Sequence, residues 1–348
     1  MDILIFGAGA VGSYLGARLS QTGHAVTLVS RRPASEAIKT NGLTLLEDGK
    51  RLQTRPKILP SLREATENEK YYDLVVLCVK SYDAQAALYE LVAFYPAAPA
   101  IITMQNGIGI EELFGEELGR ERIIAGSLTT PLSYETANSI VVERSDRGLG
   151  LAPTQAGLDI KKWVTLFSGA GLDTIAVDDY LSLKWSKALV NMIGNASSAI
   201  LNRQPKVVYS FRPTFDMEMN MLKEALNVMK VNNIDIIDLP GVTTKRLSTA
   251  VRRLPKSVVK PILTSIVGSS RGNKMPSFHI DLMSGREQNE VTYHNGAVAD
   301  AGQVVDLPTP VNRALNDILT QIAHKEIDYQ LFNGRPKYLV AEVEKYRK

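Results

Sequence analysis

The stretch that decides the fold runs Asp2-Ile-Leu-Ile-Phe6, Gly7-Ala8-Gly9-Ala10-Val11-Gly12, and then, after a helical segment, Ala25-Val-Thr-Leu-Val29-Ser30-Arg31-Arg32. Asp2 to Phe6 is a short apolar run and reads as a buried strand. Val11, Leu15 and Leu19 recur at helical spacing, and Gly23 stops that helix. Ala25 to Val29 is a second buried strand. Strand, helix and strand within about 30 residues form a β-α-β unit, whose right-handed crossover makes the strands parallel.

The glycines between the first strand and the helix each have a job. A Gly-x-Gly-x-x-Gly run alone says little, but here it follows a strand and opens a helix. Gly7 permits the tight turn, Gly9 lets the backbone approach a pyrophosphate, and Gly12 lets the helix pack close to the strand. Ala8, Ala10 and Val11 complete the cradle, and the helix N-terminus offers free N–H groups and a positive dipole end to phosphates. The second strand ends in Ser30-Arg31-Arg32, with no acid to bond a ribose 2′-OH. A guanidinium pairs with a 2′-phosphate where a carboxylate repels it, so NADP(H) is the expected cofactor. Arg31 is its first candidate partner. Arg32, before Pro33, shares that role or is solvated.

Further along, Asp73 to Val79 and Ala100 to Thr103 repeat the buried-strand pattern, with a helix over Ala84 to Phe94 between them. Ile123 to Ala125, Ile140 to Val142 and Gly148 to Leu151 read as later strands, Gly157 to Phe167 as a helix, and Thr174 to Val177 as a closing strand. The pattern changes at Asp178-Asp179. From Leu181 onward the periodicity is helical, with helices expected over Leu183 to Ile200, Thr214 to Asn232, Met275 to Ser284, Val291 to Gly302 and Pro310 to Gln330. The expectation is an α/β Rossmann-type dinucleotide-binding domain over residues 1–178 and an all-α substrate and catalytic domain over 179–348. The segment 237–274 is basic and punctuated by proline. It reads either as a solvated helical insertion or as a surface that attracts an anionic partner.

Composition excludes several classes. The 348 residues carry 40 Lys plus Arg against 37 Asp plus Glu, a net charge of +3 that is too small and dispersed for a nucleic-acid binder. No apolar run approaches the roughly 20 residues of a membrane span, so no membrane partner is expected. Met1-Asp2 leads straight into the first strand, which predicts no targeting leader. The single cysteine, Cys78, forms no internal disulfide, and a cytoplasmic location is the expectation. The four histidines, His24, His279, His294 and His324, show no ligand spacing, so no metal is expected.

Three polar signals interrupt the apolar patterns. Lys80 directly follows a buried strand, and Gln105-Asn106-Gly107-Ile108-Gly109 follows the next. Both belong at the carboxyl edge of the sheet, where open α/β folds bind ligands. The third is Lys187, Asn191 and Asn195, spaced i, i+4, i+8 on one helix face among apolar neighbours. A solvated face would carry several long charged residues, so this stripe predicts a helix lining an interdomain cleft.

These residues resemble the ketopantoate reductases (2-dehydropantoate 2-reductases) over nearly the whole chain. The resemblance comprises the glycine motif with Arg31, Lys80 to Gln85, Asn106 to Gly109, and Trp185-Ser-Lys187 through Asn191 to Asn195. It continues through Asp281 to Arg286, Glu290, Asn295 to Val298, and Pro308-Thr309-Pro310. It implies an NADP-dependent oxidoreductase that reduces ketopantoate to pantoate in pantothenate and coenzyme A biosynthesis. It makes Lys187 the general acid and has Glu290 hold the substrate hydroxyls and face the cofactor. Asn191, Asn195 and Ser277 position the substrate, Asn106 contacts substrate and nicotinamide, and Lys80 lies near the cofactor ribose. The chemistry is reasonable independently, because ketone reduction creates an alkoxide that a positioned ammonium stabilises and protonates.

The sequence departs from the family in two places. One residue is inserted between Arg286 and Glu290, and Thr292 stands where the family has Asp. An alternative register puts His279 at the glutamate position. The 237–274 segment also exceeds the usual connection. A reductase of another branched or bulkier 2-oxo acid and a non-catalytic NADPH-binding regulator stay open. A regulator, however, has no need of the Lys187 proton donor. A homodimer also stays open.

Overall fold

A computed structural model describes residues 1–30, 34–67, 70–271 and 274–347. The chain divides into two compact units, Met1–Lys184 with Asp238–Val242, and Trp185–Ile237 with Thr243–Lys348.

In the first unit the chain runs β1 (Asp2–Phe6), α1 (Ala10–Gln21), β2 (Ala25–Val29), α2 (Ala34–Asn41), β3 (Leu43–Glu47), β4 (Lys50–Thr54), β5 (Lys57–Leu59) and α3 (Leu62–Ala65). It continues through β6 (Leu74–Leu77), α4 (Ala84–Phe94), β7 (Ile101–Thr103), α5 (Ile110–Leu118) and β8 (Ile123–Leu128). Then follow β9 (Leu132–Thr136), β10 (Ser139–Val142), β11 (Gly148–Pro153), α6 (Lys161–Gly169), β12 (Asp173–Ala176) and α7 (Tyr180–Met192). The main sheet has eight strands in the order β12-β11-β8-β7-β6-β1-β2-β5. The six from β8 to β5 are mutually parallel, and β11 runs antiparallel to β8. Ile3, Leu4, Ile5 and Leu74 to Leu77 are fully buried. Strands covered on both faces need continuous apolar runs rather than alternation, which is the pattern in the sequence. Each such side chain contributes about 1.5–3 kcal/mol on burial.

The sequence reading places strand 140–142 among the other strands. The structure puts β10 in a separate four-stranded sheet, β4-β3-β10-β9. Its β3–β4 hairpin turns at Asp48-Gly49, both with positive φ (48° and 75°), the Asp-Gly signature of a two-residue hairpin. The helix expected from Gly157 starts at Lys161, because Gly157 adopts φ +82° and the Asp159 carboxylate caps the Lys161 N–H at 2.9 Å. The returning segment Asp238–Val242 belongs to this unit. Leu239 and Val242 bond to each other, and the Thr129 hydroxyl donates to the Pro240 carbonyl at 2.7 Å.

The second unit takes the rest of α7, then α8 (Ala196–Leu201), α9 (Pro205–Ser210), α10 (Arg212–Val231), α11 (Thr244–Arg253) and α12 (Lys256–Arg271). It closes with α13 (Ser277–Met283), α14 (Asn295–Val304), α15 (Pro310–Ala323) and α16 (Pro336–Lys345). Its core lies along α10, where Met217, Met221, Leu222 and Met229 are buried, and along α15, where Val311, Leu315, Ile318 and Ile322 recur at helical spacing. Glu224 of α10 accepts the backbone N–H groups of Val311 and Asn312 at 3.0 Å, capping α15. Within the basic segment 237–274, Thr244–Arg253 forms α11 and Lys256–Arg271 forms α12.

Three expected helices are interrupted, one of them the run 310–330, where α15 ends at Ala323 and Lys325 takes φ +62° before a 3₁₀ turn at Tyr329–Leu331. The run 183–200 divides at Gly194, whose φ of +60° an L-residue resists. The run 291–302 divides at His294, leaving a 3₁₀ turn (Glu290–Tyr293) before α14.

Candidate active site

The glycine turn is built as its residue types require. Gly7 has φ +110°, and a Cβ there would come within 2.7 Å of the Val79 nitrogen. A Cβ on Gly12 would lie 2.0 Å from the Gly7 carbonyl oxygen. At Gly9, by contrast, no described atom lies within 4 Å of the position a Cβ would take. That open face adjoins the start of α1, whose first turn holds no acidic residue. Ala8 is buried and Val11 half-buried behind the turn. The arrangement suits a pyrophosphate: backbone N–H groups, a positive helix end, and room kept open by a missing side chain. Its Gly7 N–H donates to Val29 (3.0 Å), joining the turn to the end of β2. Arg31 and Arg32, the 2′-phosphate candidates, lie outside the described residues.

The strand order reverses between β2-β1 and β1-β6, and ligands of open α/β sheets bind at the carboxyl end of such a switch point. Lys80 and Asn106 follow β6 and β7 at this same edge. Lys80 is half-buried and its carbonyl accepts the Asp83 N–H (2.9 Å). Ser81 donates its hydroxyl to the Asn106 carbonyl at 2.5 Å, while Asn106 is itself exposed. Gln105 donates its amide to the carbonyls of Leu77 and Val79 at 3.2 Å each. Its Oε1 is buried and, among the described residues, meets no hydrogen-bond partner.

A second cluster lies in the helical unit. Lys187 and Asn191 are half-buried one turn apart on α7. Asn195 does not continue their helix face as the sequence spacing suggests. It follows the Gly194 break and stands at the N-terminus of α8. The break is held from a distance, because the buried Glu218 carboxylate accepts the Gly194 N–H (2.9 Å), the Ser197 hydroxyl (2.5 Å) and the Tyr209 hydroxyl (2.8 Å). Asn195 still reaches the neighbours the sequence proposes for it. Its amide donates to the Asn191 carbonyl (3.1 Å) and lies 3.4 Å from the Ser277 hydroxyl, and its carbonyl accepts the Phe278 N–H (3.2 Å). Asn289 then bonds the Phe278 carbonyl (3.1 Å) and caps the turn that starts at Glu290. Glu290 is 3% exposed, and its carbonyl meets His294 Nδ1 at 3.0 Å. His279 instead pairs its Nε2 with Asn202 (2.8 Å), and burial pushes its pKa below the ordinary value.

Sequence reasoning missed a third group. Lys184 is buried in the dinucleotide unit, 3.0 Å from Glu111. The signal was a second lysine three residues before Lys187 on the same helix.

A family profile described as "Ketopantoate reductase PanE/ApbA" matches residues 3–148, and its C-terminal counterpart matches residues 179–323. The chain belongs to the ketopantoate reductase family. This is an NADP-dependent oxidoreductase family. Among curated relatives, the 2-dehydropantoate 2-reductase of Pyrococcus abyssi is 28% identical over 320 residues, covering 90% of this chain and 95% of the relative. That of Lactococcus lactis is 25% identical over 329 residues, covering 94% and 98%. Among solved structures, a ketopantoate reductase from Ralstonia eutropha has a TM-score of 0.77 at 23% identity, covering 94% of this chain and 99% of its own. A D-mandelate dehydrogenase complexed with NADH and anilino(oxo)acetate also scores 0.77 at 23% identity, covering 93% and 99%. At such identities these structures establish the fold, and the family assignment rests on the two profiles. Among the described residues no helix is long and apolar enough to cross a membrane, and no three His, Cys, Asp or Glu are grouped to hold a metal.

Proposed function

We propose that the protein reduces ketopantoate to pantoate with NADPH, the reducing step of pantothenate and coenzyme A biosynthesis. Residues 1–178 bind the dinucleotide, and residues 179–348 carry the substrate contacts and the proton donor. The observation that carries this reading is the chain of contacts Asn191–Asn195–Ser277, with Asn289 linking Phe278 to Glu290, beside Lys187 on the same helix as Asn191. When bound, the nicotinamide supplies the hydride. Lys187 protonates the carbonyl oxygen as negative charge develops there. Asn195 and Ser277 orient the 2-oxo acid, and Glu290 accepts a hydrogen bond from its hydroxyl group. Asn106 contacts substrate and nicotinamide, Lys80 meets the ribose, and Arg31 pairs with the 2′-phosphate. The engagement of His279 with Asn202 favours Glu290, rather than His279, as the substrate-facing group.

A second reading, reduction of another branched or bulkier 2-oxo acid, is favoured by Thr292 and by the long α11–α12 connection. Initial rates on a panel of 2-oxo acids, with NADPH and NADH in parallel, test both. Ketopantoate with NADPH is expected to give the highest kcat/KM. A better acid without the hydroxyl would favour the second reading, and no turnover on any 2-oxo acid would end both. Arg31→Ala should weaken NADPH by roughly 10- to 100-fold and NADH far less, the scale of one charge-assisted contact. Equal loss for both cofactors would remove Arg31 from the 2′-phosphate.

A further inference from the structure

Two glutamates in the first turn of α5 grip the start of α7, all within the dinucleotide unit. Glu112 accepts the Tyr180 hydroxyl at 2.9 Å. Glu111 faces Lys184 at 3.0 Å and accepts the Thr103 hydroxyl at 2.6 Å. Lys184 also donates to the Gln105 carbonyl at 2.6 Å and approaches the Gly126 carbonyl at 3.4 Å. The Lys184 side chain is 3% exposed and that of Glu111 is 1%. Charges so deep lose much hydration, and apolar residues of similar volume often serve a core equally well or better. Core stability alone is therefore a weak reason for this pair.

Its bonds converge on one loop. Lys184 holds the Gln105 carbonyl, immediately before Asn106. The Gln105 amide is tied to the end of β6, and Ser81 holds the Asn106 carbonyl. The loop continues through Gly107 and Gly109, with φ +100° and +101°, so it forms no regular element of its own and takes its shape from these clamps. Asn106 is thereby fixed through its backbone while remaining exposed. Tyr180, Lys184, Lys187 and Asn191 are spaced i, i+4, i+7, i+11, one face of a single helix. The polar stripe seen at Lys187 and Asn191 thus runs backward to the buried clamp.

We propose that Lys184, paired with Glu111, is a positioning residue for the reaction. It holds the Asn106 loop and the first turn of α7, both within the dinucleotide unit. This rests on the reductase reading, in which Asn106 contacts substrate and nicotinamide.

The test replaces the pair together, Lys184→Met with Glu111→Gln, so that no lone charge stays buried. Thr103→Val serves as a milder variant that keeps both charges. Hydrogen–deuterium exchange on the free protein should show amides 105–109 and 181–187 exchanging at least about 10-fold faster in the double variant, with α1 unchanged. In kinetics, kcat should fall about 10- to 100-fold, as a small misplacement of reacting groups does, while the NADPH dissociation constant stays within about 3-fold. The alkaline limb of the kcat–pH profile should keep its position, because Lys187 remains the proton donor. Thr103→Val should move exchange and kcat in the same directions by less. Wild-type exchange and kcat in the double variant would overturn the proposal. So would faster exchange throughout the unit with weakened NADPH binding, which marks a general structural role. If the wild-type enzyme reduces no 2-oxo acid, the reductase reading fails by itself, and the exchange comparison still decides whether the clamp holds the loop.

Discussion

Lys184 and Lys187 stand one turn apart on α7 and show how burial divides the work of one residue type. Lys184 is 3% exposed and held by the Gln105 carbonyl and the Glu111 carboxylate, so its side chain is fixed in place. Lys187 is half-buried, one turn before Asn191 on the same helix. Lys187→Ala should therefore lower kcat by about two to four decades, the range for a positioned acid–base group. NADPH affinity, measured by fluorescence titration, should be little changed. Turnover close to wild type on the best 2-oxo acid would remove Lys187 from the proton transfer.

At the scale of elements, the break between α7 and α8 decides where Asn195 points. Gly194 holds φ +60°, and an added Cβ would come 3.0 Å from the Pro205 Cβ. Gly194→Ala should cost about 1–2 kcal/mol of stability in a urea titration, the penalty for an L-residue in the left-handed region. It should also raise KM for the 2-oxo acid by displacing Asn195 from Ser277. Unchanged stability would mean the kink is not held as described. The break also shows what the sequence conceals. The dinucleotide core was legible because its signals are local: apolar runs, a glycine motif and a crossover helix within about 30 residues. Lys187 and Asn191 were legible as neighbours on one helix. The displacement of Asn195 was not, because a glutamate 24 residues later accepts the Gly194 N–H and completes the kink. The small sheet was partly readable, since Asp48-Gly49 is a strong hairpin sequence, but the β3–β10 pairing joins residues far apart in the chain. The role of Lys184 could not be read from spacing, because its partners come from the ends of β7 and the start of α5.

The whole molecule answers to pH through a few displaced groups. Burial lowers the pKa of His279, and burial with the nearby N-terminal ammonium lowers that of His24. Between the lowered values and the ordinary 6.5, the unfolded chain binds more protons, so stability rises with pH across that window. Burial raises Glu112 and Glu224, which act oppositely just above the ordinary 4.5 and weaken the fold as pH rises there. Urea midpoints should therefore fall as pH is lowered from 8 through the histidine window, and His279→Gln should flatten that slope. A variant slope identical to wild type would remove His279 from the linkage. The returning segment Asp238–Val242 has a consequence for biosynthesis. The chain leaves the dinucleotide unit at Lys184 and comes back only at Asp238 to place Pro240 against Thr129. A ribosome must therefore deliver residues 185–237 before the first unit can be finished. The nascent Rossmann unit stays one piece short until then, and neither unit is the product of a single uninterrupted span of translation.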